Sequence, residues 1–204
     1  MVRRIYLASR SARRRELLRQ IGVGFEMLVL RESPPRGADI DETPHPGESA
    51  DSYVRRVCLE KARCAWQRIE QRRLPHMPVL TADTTVCIGE DILGKPDDAR
   101  DAVRMLTRLS GAEHRVLSAV AIISEGRLES AVNESLVRFC ALSEATIRSY
   151  VESGEAMGKA GAYAIQGRAA AFIPSLCGSY SGVMGLPLFE TMQLLDKFKE
   201  AVSD

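Results

Sequence analysis

Residues Ile5–Gly22 read IYLASRSARRRELLRQIG. Ile5–Ala8 is a short apolar strand, Ser9–Ser11 a small polar turn, and Ala12–Gln20 a helix. Leu17, Leu18 and Ile21 fall on one side of that helix, and Gly22 is its stop signal. A strand that turns directly into a helix opens an α/β unit. The oddity is Arg13, Arg14 and Arg15 in the first helical turn. The helix macrodipole is positive there, and acidic residues would be expected.

Working outward, Phe25–Leu30 is a candidate strand. Arg31–Glu48 holds four prolines and two glycines and is a loop. Ser49 caps a long helix that runs to about Gln71. HMPVLTADTTVCIG is strand-like on both sides of Asp83, and IGEDIL predicts a tight hairpin. Asp97 or Asp98 starts a helix that ends near Ser110–Gly111. Arg115–Ile123 and Leu128–Phe139 are long strands joined at Glu125–Gly126. Ser143 caps a helix that stops before Gly154. A glycine-rich stretch follows, with short strands expected near Ala162–Ile165 and Ala171–Pro174. Pro187 belongs to the first turn of a last amphipathic helix. Hairpins mixed with crossover helices predict an α/β fold with a mixed twisted sheet flanked by helices.

The 204 residues are 45% hydrophobic and 27% charged, an ordinary globular balance, and suit a single domain over 1–204. The formal net charge of +1 provides no global field for nucleic acid or a membrane surface. Cys58, Cys64, Cys87, Cys140 and Cys177 are an odd, scattered set without metal-ligand spacing. They predict reduced thiols in a cytoplasmic setting. The first twenty residues are cationic rather than a secretory apolar run, and no apolar run reaches membrane-spanning length.

Several residues are not explained by folding alone. The arginines suit a solvated helix end and an anion site equally. In the second reading the backbone N–H groups of the turn, with Ser9 and Ser11, face a phosphate. Lys61 lies inside the apolar stripe Val54, Val57, Cys58, Ala62, Ala65, Ile69. A lysine there either snorkels at a helix edge or, the reading favoured here, enters a cleft to meet an anion. Asp83 interrupts an apolar strand, where aspartate is disfavoured. It either ends one strand and caps a turn, or is a general base or metal ligand at a strand end, with Thr84 and Thr85 beside the same ligand. Lys95 in GKP, and Lys159 and Gln166 in GKAGAYAIQG, sit among glycines that let backbone approach a ligand. Asp39, Asp41 and Glu42 form an acidic group, more simply a solvated loop than a metal site. His45, His76 and His114 are far apart in sequence. No nucleophile triad stands out, so a carboxylate with several cations favours phosphoryl chemistry.

LASRSARRRELL, DIDETPHPGE, EKA, TADTTV, GKP, SGE, KAGAYAIQG and GSYSGVMGLPL occur in this order. In these motifs and their spacing the chain resembles the Maf (septum-formation-inhibitor-like) nucleoside triphosphate pyrophosphatases over nearly its whole length. The resemblance implies an ITPase-like (Maf/Ham1) fold, two lobes around a cleft. It implies hydrolysis of a nucleoside triphosphate to monophosphate and pyrophosphate with a divalent cation, Mg²⁺ or Mn²⁺, by a cytoplasmic homodimer. By resemblance, Asp83 is the proton acceptor that activates water. Ser9, Arg13, Arg14, Lys61, Lys95 and Lys159 hold phosphates, and Glu42 joins Asp83 at the metal. The resemblance gives Arg15 no role, and it reads as surface. Arg13, Thr84 and Gln166 match the branch that acts on dTTP and UTP. The 7-methyl-GTP branch has an aromatic residue, Gln and Glu at these points. The Gln166 amide carries a donor and an acceptor, which match O4 and N3–H of uracil or thymine. The same amide can flip toward cytosine, so exclusion of CTP does not follow. Ala12 stands where the family has proline, and Gly158 where it has aspartate. If that aspartate holds metal or orients the lysine, metal affinity or turnover here is lower. The competing readings are a 7-methyl-GTP or broad nucleotide pyrophosphatase, and a non-catalytic division-related binding protein. The near-neutral charge argues against stable nucleic-acid binding.

Overall fold

A computed structural model of the protein describes residues 4–30 and 39–198. The opening stretch forms β1 (Ile5–Leu7), then α1 (Ala12–Gln20) and β2 (Phe25–Met27). The Arg31–Glu48 loop lies partly outside the described residues. After it come α2 (Ala50–Arg72), β3 (Val79–Ile88) and β4 (Asp91–Leu93). Next are α3 (Ala99–Leu109), the hairpin β5 (Glu113–Ser124) and β6 (Arg127–Arg138), and α4 (Glu144–Glu152). The chain closes with β7 (Ser175–Cys177), α5 (Tyr180–Met184) and α6 (Leu188–Lys197). The strands form one mixed sheet in the order β2-β1-β3-β5-β6-β7, with β4 also paired to β3. β1 runs parallel to β2 and β3, and the remaining pairs are antiparallel.

Local chemistry accounts for the helix starts. Ser11, Ser49, Asp98, Ser143 and Ser179 each accept the N–H three residues on, which satisfies a free donor of the first turn. Alternation along the central strands then sorts residues to two faces. Val79, Cys87, Leu117, Ala119 and Ala121 pack under the apolar stripe of α2. Leu80, Ala82, Val120 and Ile122 pack under Leu17 and Leu18 of α1 and Leu194, Leu195 and Phe198 beside them. A further core joins α3, α4 and the 160–172 segment to the outer end of β3. Among the described residues no helix is long and apolar enough to cross a membrane.

Three expectations change. Asp83 does not end a strand: β3 runs unbroken through it, because its carboxylate has a partner across the face, described below. Ala162–Ile165 and Ala171–Pro174 are not strands. Ala160–Ala162 and Arg168–Phe172 are 3₁₀ turns, and the strand comes later, at Ser175–Cys177. Gly161 (φ 66°) and Ala162 (φ 59°) take left-handed backbone that no strand contains. The apolar character that suggested a strand reflects packing of Ala162, Tyr163 and Ile165 against α3 and α4. Arg15 is not plain surface. Its Nε is buried without a partner among the described residues. It lies three positions before buried Leu18, so its stem follows the edge of the apolar face.

His114, at the start of β5, is 2% exposed. Its Nε2 meets the Tyr163 hydroxyl at 2.9 Å, and its ring meets Phe139 edge-on. Burial pushes its pKa from 6.5 down to about 4. The folded state therefore prefers the neutral ring. Above pH 6.5 that preference costs nothing. Between 6.5 and about 4 the unfolded chain takes up the proton first, and stability falls as pH drops. The full loss is about 3 kcal/mol. Chemical denaturation from pH 7 to 4 should show the wild type losing about that much more stability than His114→Gln, which has no ring to titrate. Parallel pH profiles for the two proteins would contradict this.

Candidate active site

The site forms where β3 outruns its neighbours. One edge of β3 pairs with β5 from Val79 to Cys87. On the other edge β1 covers Val79 and Leu80, and β4 covers Val86 to Ile88. Among the described residues no strand pairs Thr81–Thr85 on that edge. Asp83 projects toward α2 and Thr84 toward α1, as their partners show. The gap lets groups from both faces of the sheet reach one cleft.

On the α2 face, the Lys61 Nζ donates to Asp83 Oδ1 at 2.7 Å and stands 2.7 Å from Glu42 Oε1. Asp83 is 8% exposed. Burial works to lower the Lys61 pKa, but attraction and hydrogen bonds from Asp83 and Glu42 outweigh it, and the net shift is upward. Burial likewise works to raise the Glu42 pKa, while Lys61, Lys95 and Arg14 bring it below the ordinary value. Lys95 is exposed and lies 3.7 Å from Glu42 Oε2. Beside this centre Cys58 and Thr81 hydrogen-bond one another, and burial pushes the Cys58 thiol up to about 12, so it stays protonated and inert.

The acidic group of the loop divides. Asp39 pairs with Arg68, and Asp41 accepts the Thr43 N–H. Only Glu42 reaches the cleft. It is held there by Tyr53, whose hydroxyl donates to the Glu42 carbonyl at 2.9 Å, and by Arg56. The Arg56 guanidinium clamps Glu48 through two bonds of 2.7 and 2.8 Å and donates to the Thr43 carbonyl. That clamp brings the Glu48 pKa down to about 2. Neither Tyr53 nor Arg56 was singled out in the sequence, where both read as ordinary helix residues.

On the α1 face, the Arg14 Nε donates to the Gly185 carbonyl at 2.7 Å, and its Nη1 to Ser9 Oγ at 3.2 Å. Gly185 follows α5 with φ 117°, a backbone angle that favours glycine and that turns its carbonyl toward Arg14. Burial lowers the Arg14 pKa, with Asp83 and Glu42 pulling the other way. Arg13 forms no hydrogen bond or ion pair among the described residues. Its pKa is lowered by burial and then by Arg14. The Lys159 pKa is lowered by burial and then by Arg13. Arg14, Lys61 and Lys95 thus act on the carboxylates Asp83 and Glu42, and Arg13 and Lys159 continue the cationic region beyond Arg14, with Glu16 and Glu155 beside them.

The segment carrying Lys159 and Gln166 is pinned at several points. The Gly161 N–H donates to the Gly94 carbonyl, next to Lys95, and the Ala164 N–H donates to the Tyr150 hydroxyl. Gly161 also packs on β3: an added Cβ would stand 2.9 Å from Val86. This glycine therefore brings backbone to β3, not to a ligand. The Lys159 Nζ donates to the Met157 carbonyl. Gln166 is exposed and forms no hydrogen bond among the described residues. The turn after it is shaped by Glu155, whose Oε2 accepts the Arg168 N–H. Gly158, where aspartate was expected, is exposed with open space around it.

Among the described residues no cluster of three or more metal-binding side chains occurs. Asp83 and Glu42 each spend one oxygen on Lys61 and turn the same way. Two carboxylates with substrate phosphate oxygens suffice for a hard divalent cation such as Mg²⁺, so the donor set fits one.

The model of the Maf-like protein family matches residues 4–198. A dTTP/UTP pyrophosphatase of Aromatoleum aromaticum is 57% identical over 196 residues, covering 96% of this chain and 95% of its own. Proteins of the same name from Cupriavidus pinatubonensis and Nitrosomonas europaea are each 54% identical, over 94% and 95% of this chain and 94% and 93% of theirs. The Staphylococcus aureus Ham1 protein superposes with a TM-score of 0.44 at 12% identity, over 67% of this chain and 72% of that one. A likeness that distant carries no argument.

The Lys61 bridge makes a direct prediction. Lys61→Met leaves Asp83 and Glu42 facing each other with no cation between them. It should cost about 3 kcal/mol in denaturant unfolding at neutral pH. The double variant Lys61→Met with Asp83→Asn should be more stable than Lys61→Met alone. A double variant that is less stable would show that repulsion is not the cause.

Proposed function

The chain belongs to the Maf-like protein family, and on that premise we propose that it hydrolyses dTTP and UTP to the monophosphate and pyrophosphate. The observation that carries the chemistry is a buried carboxylate, Asp83, tied to a lysine beneath a group of cations. The oxygen of a water bonds to the α-phosphorus, and the bond from that phosphorus to the bridging oxygen breaks as pyrophosphate leaves. The water proton goes to Asp83. Lys61 holds and orients the Asp83 carboxylate through Oδ1, which leaves Oδ2 to face the water. Arg13, Arg14, Lys95 and Lys159 meet the triphosphate, where charge builds in the transition state. The Ser9 Oγ already accepts from Arg14 and from the Ser11 N–H, so its own proton is free for a phosphate oxygen. Glu42 and Asp83 would hold Mg²⁺ or Mn²⁺. When bound, that cation neutralises charge on the phosphate oxygens. Gln166, exposed and without a hydrogen bond among the described residues, reads the pyrimidine edge. The reading includes a cytoplasmic homodimer, which rests on the family resemblance alone.

The test is a pyrophosphate-release screen over dTTP, UTP, CTP, ITP and 7-methyl-GTP, with chelator and with Mg²⁺ or Mn²⁺ restored. dTTP and UTP should lead, and chelation should abolish the signal. Asp83→Asn should lose at least about a hundredfold in kcat while the protein still folds, because Glu42 still pairs with Lys61. A variant that keeps wild-type turnover would reject Asp83 as the proton acceptor.

Gln166→Glu replaces an amide donor with an acceptor-only carboxylate. The preference in kcat/KM for dTTP and UTP over the other nucleotides should fall about tenfold. Unchanged ratios across the panel would remove Gln166 from base recognition.

A further inference from the structure

On the α1 face of the sheet a row of polar groups joins residues from four separate parts of the chain. The Arg14 Nη2 donates to Thr84 Oγ1 at 3.4 Å. Thr84 Oγ1 and Ser118 Oγ are 2.8 Å apart. Ser118 Oγ donates to the Gly182 carbonyl at 2.7 Å. Thr84 and Ser118 are cross-strand partners on β3 and β5, and Ser118 is 1% exposed.

The proton count fixes the direction of this row. A carbonyl only accepts, so the one Ser118 proton goes to Gly182. Ser118 must then accept from Thr84, which spends the one Thr84 proton. Thr84 in turn can only accept from Arg14. All the donors point one way, from the guanidinium to α5, an arrangement in which each bond strengthens the next. Arg14 has five N–H groups. Nε is used by Gly185, one on Nη1 by Ser9 and one on Nη2 by Thr84. One N–H on each terminal nitrogen is left for an anion.

We propose that Ser118 is a positioning residue for the pyrophosphatase reaction: acting through Thr84, it fixes the Arg14 guanidinium that meets the triphosphate. Thr84 accordingly orients Arg14 and does not donate to the substrate, although the sequence places it at a substrate-selecting position. This inference rests on the reading of Arg14 as a phosphate-binding residue.

The experiment uses the full chain as wild type, Ser118→Ala, Thr84→Val, Thr84→Ser and the Ser118→Ala/Thr84→Val double variant. KM and kcat are measured for dTTP and UTP, binding of inorganic tripolyphosphate by calorimetry, and Tm for each. Ser118→Ala and Thr84→Val should each raise KM for both nucleotides about tenfold, with a much smaller change in kcat. Tripolyphosphate should weaken by the same factor. The double variant should be no worse than either single one, because both break the same row. Thr84→Ser, which keeps the hydroxyl, should restore wild-type values. Independent, multiplying effects in the double variant would overturn the proposal. So would a Thr84→Val that changes the preference among nucleobases while Ser118→Ala changes nothing. A wild type that binds tripolyphosphate but releases pyrophosphate from no nucleotide would sink the proposed function, and the tripolyphosphate arm would still decide the role of Ser118. A wild type that does not bind tripolyphosphate would overturn the reading of Arg14 as a phosphate-binding residue and with it the role of Ser118, while pyrophosphate release would still decide the proposed function.

Discussion

The site depends on a mismatch of strand lengths. β3 has ten residues, while β1 beside it has three and β4 pairs only with its far end. The stretch Thr81–Thr85 is therefore held in the sheet by β5, but among the described residues no strand pairs with its other edge. A strand buried on both faces normally separates what lies above it from what lies below. Here Arg14, on one face, acts at that edge on Asp83 and Glu42, on the other. Asp83 and Thr84, adjacent in sequence and opposite in direction, serve one cleft. Loops following strand ends in α/β sheets are where such clefts form. The turn after β1 supplies Ser9, the first turn of α1 supplies Arg14, and the loop before α2 supplies Glu42.

The second constraint is charge. Burying a carboxylate is costly unless a cation and hydrogen bonds compensate. Lys61 meets that need for Asp83 and Glu42 together, standing 2.7 Å from an oxygen of each. On the opposite face Arg14 is fixed by neutral acceptors, Gly185, Ser9 and Thr84, so its charge stays uncompensated at close range. The two faces thus divide the work. One holds a carboxylate in place, and the other holds an unneutralised cation. A polyanionic substrate that is attacked by water needs both.

Much of this could be read along the chain. The caps at Ser49, Asp98 and Ser143, the hairpin turn at Glu125–Gly126, and the anomaly of Lys61 inside an apolar stripe are all local patterns. The failures have a common cause. Ala162–Ile165 and Ala171–Pro174 read as short strands, whereas Ala162, Tyr163 and Ile165 pack on helices around left-handed backbone at Gly161 and Ala162. Asp83 was expected to end a strand because nothing near it in sequence could satisfy it, and the group that does is Lys61, from α2. Arg15 was assigned to the surface, yet its distance of three from Leu18 already placed its stem beside the core.

Sequence alone determined most of the elements and their caps, and it exposed Lys61 and Asp83 as charges inside apolar patterns, because those follow from propensities and neighbours a few residues apart. Tertiary structure decided which of these residues share a site. Arg14, Thr84, Ser118, Gly182 and Gly185 form one connected row only because β3 and β5 pair in the register that sets Thr84 opposite Ser118. α5 then docks its carbonyls against them. Strand register is set by the burial of whole faces, which no short motif encodes. Hydroxyl direction is set by counting protons around the finished network.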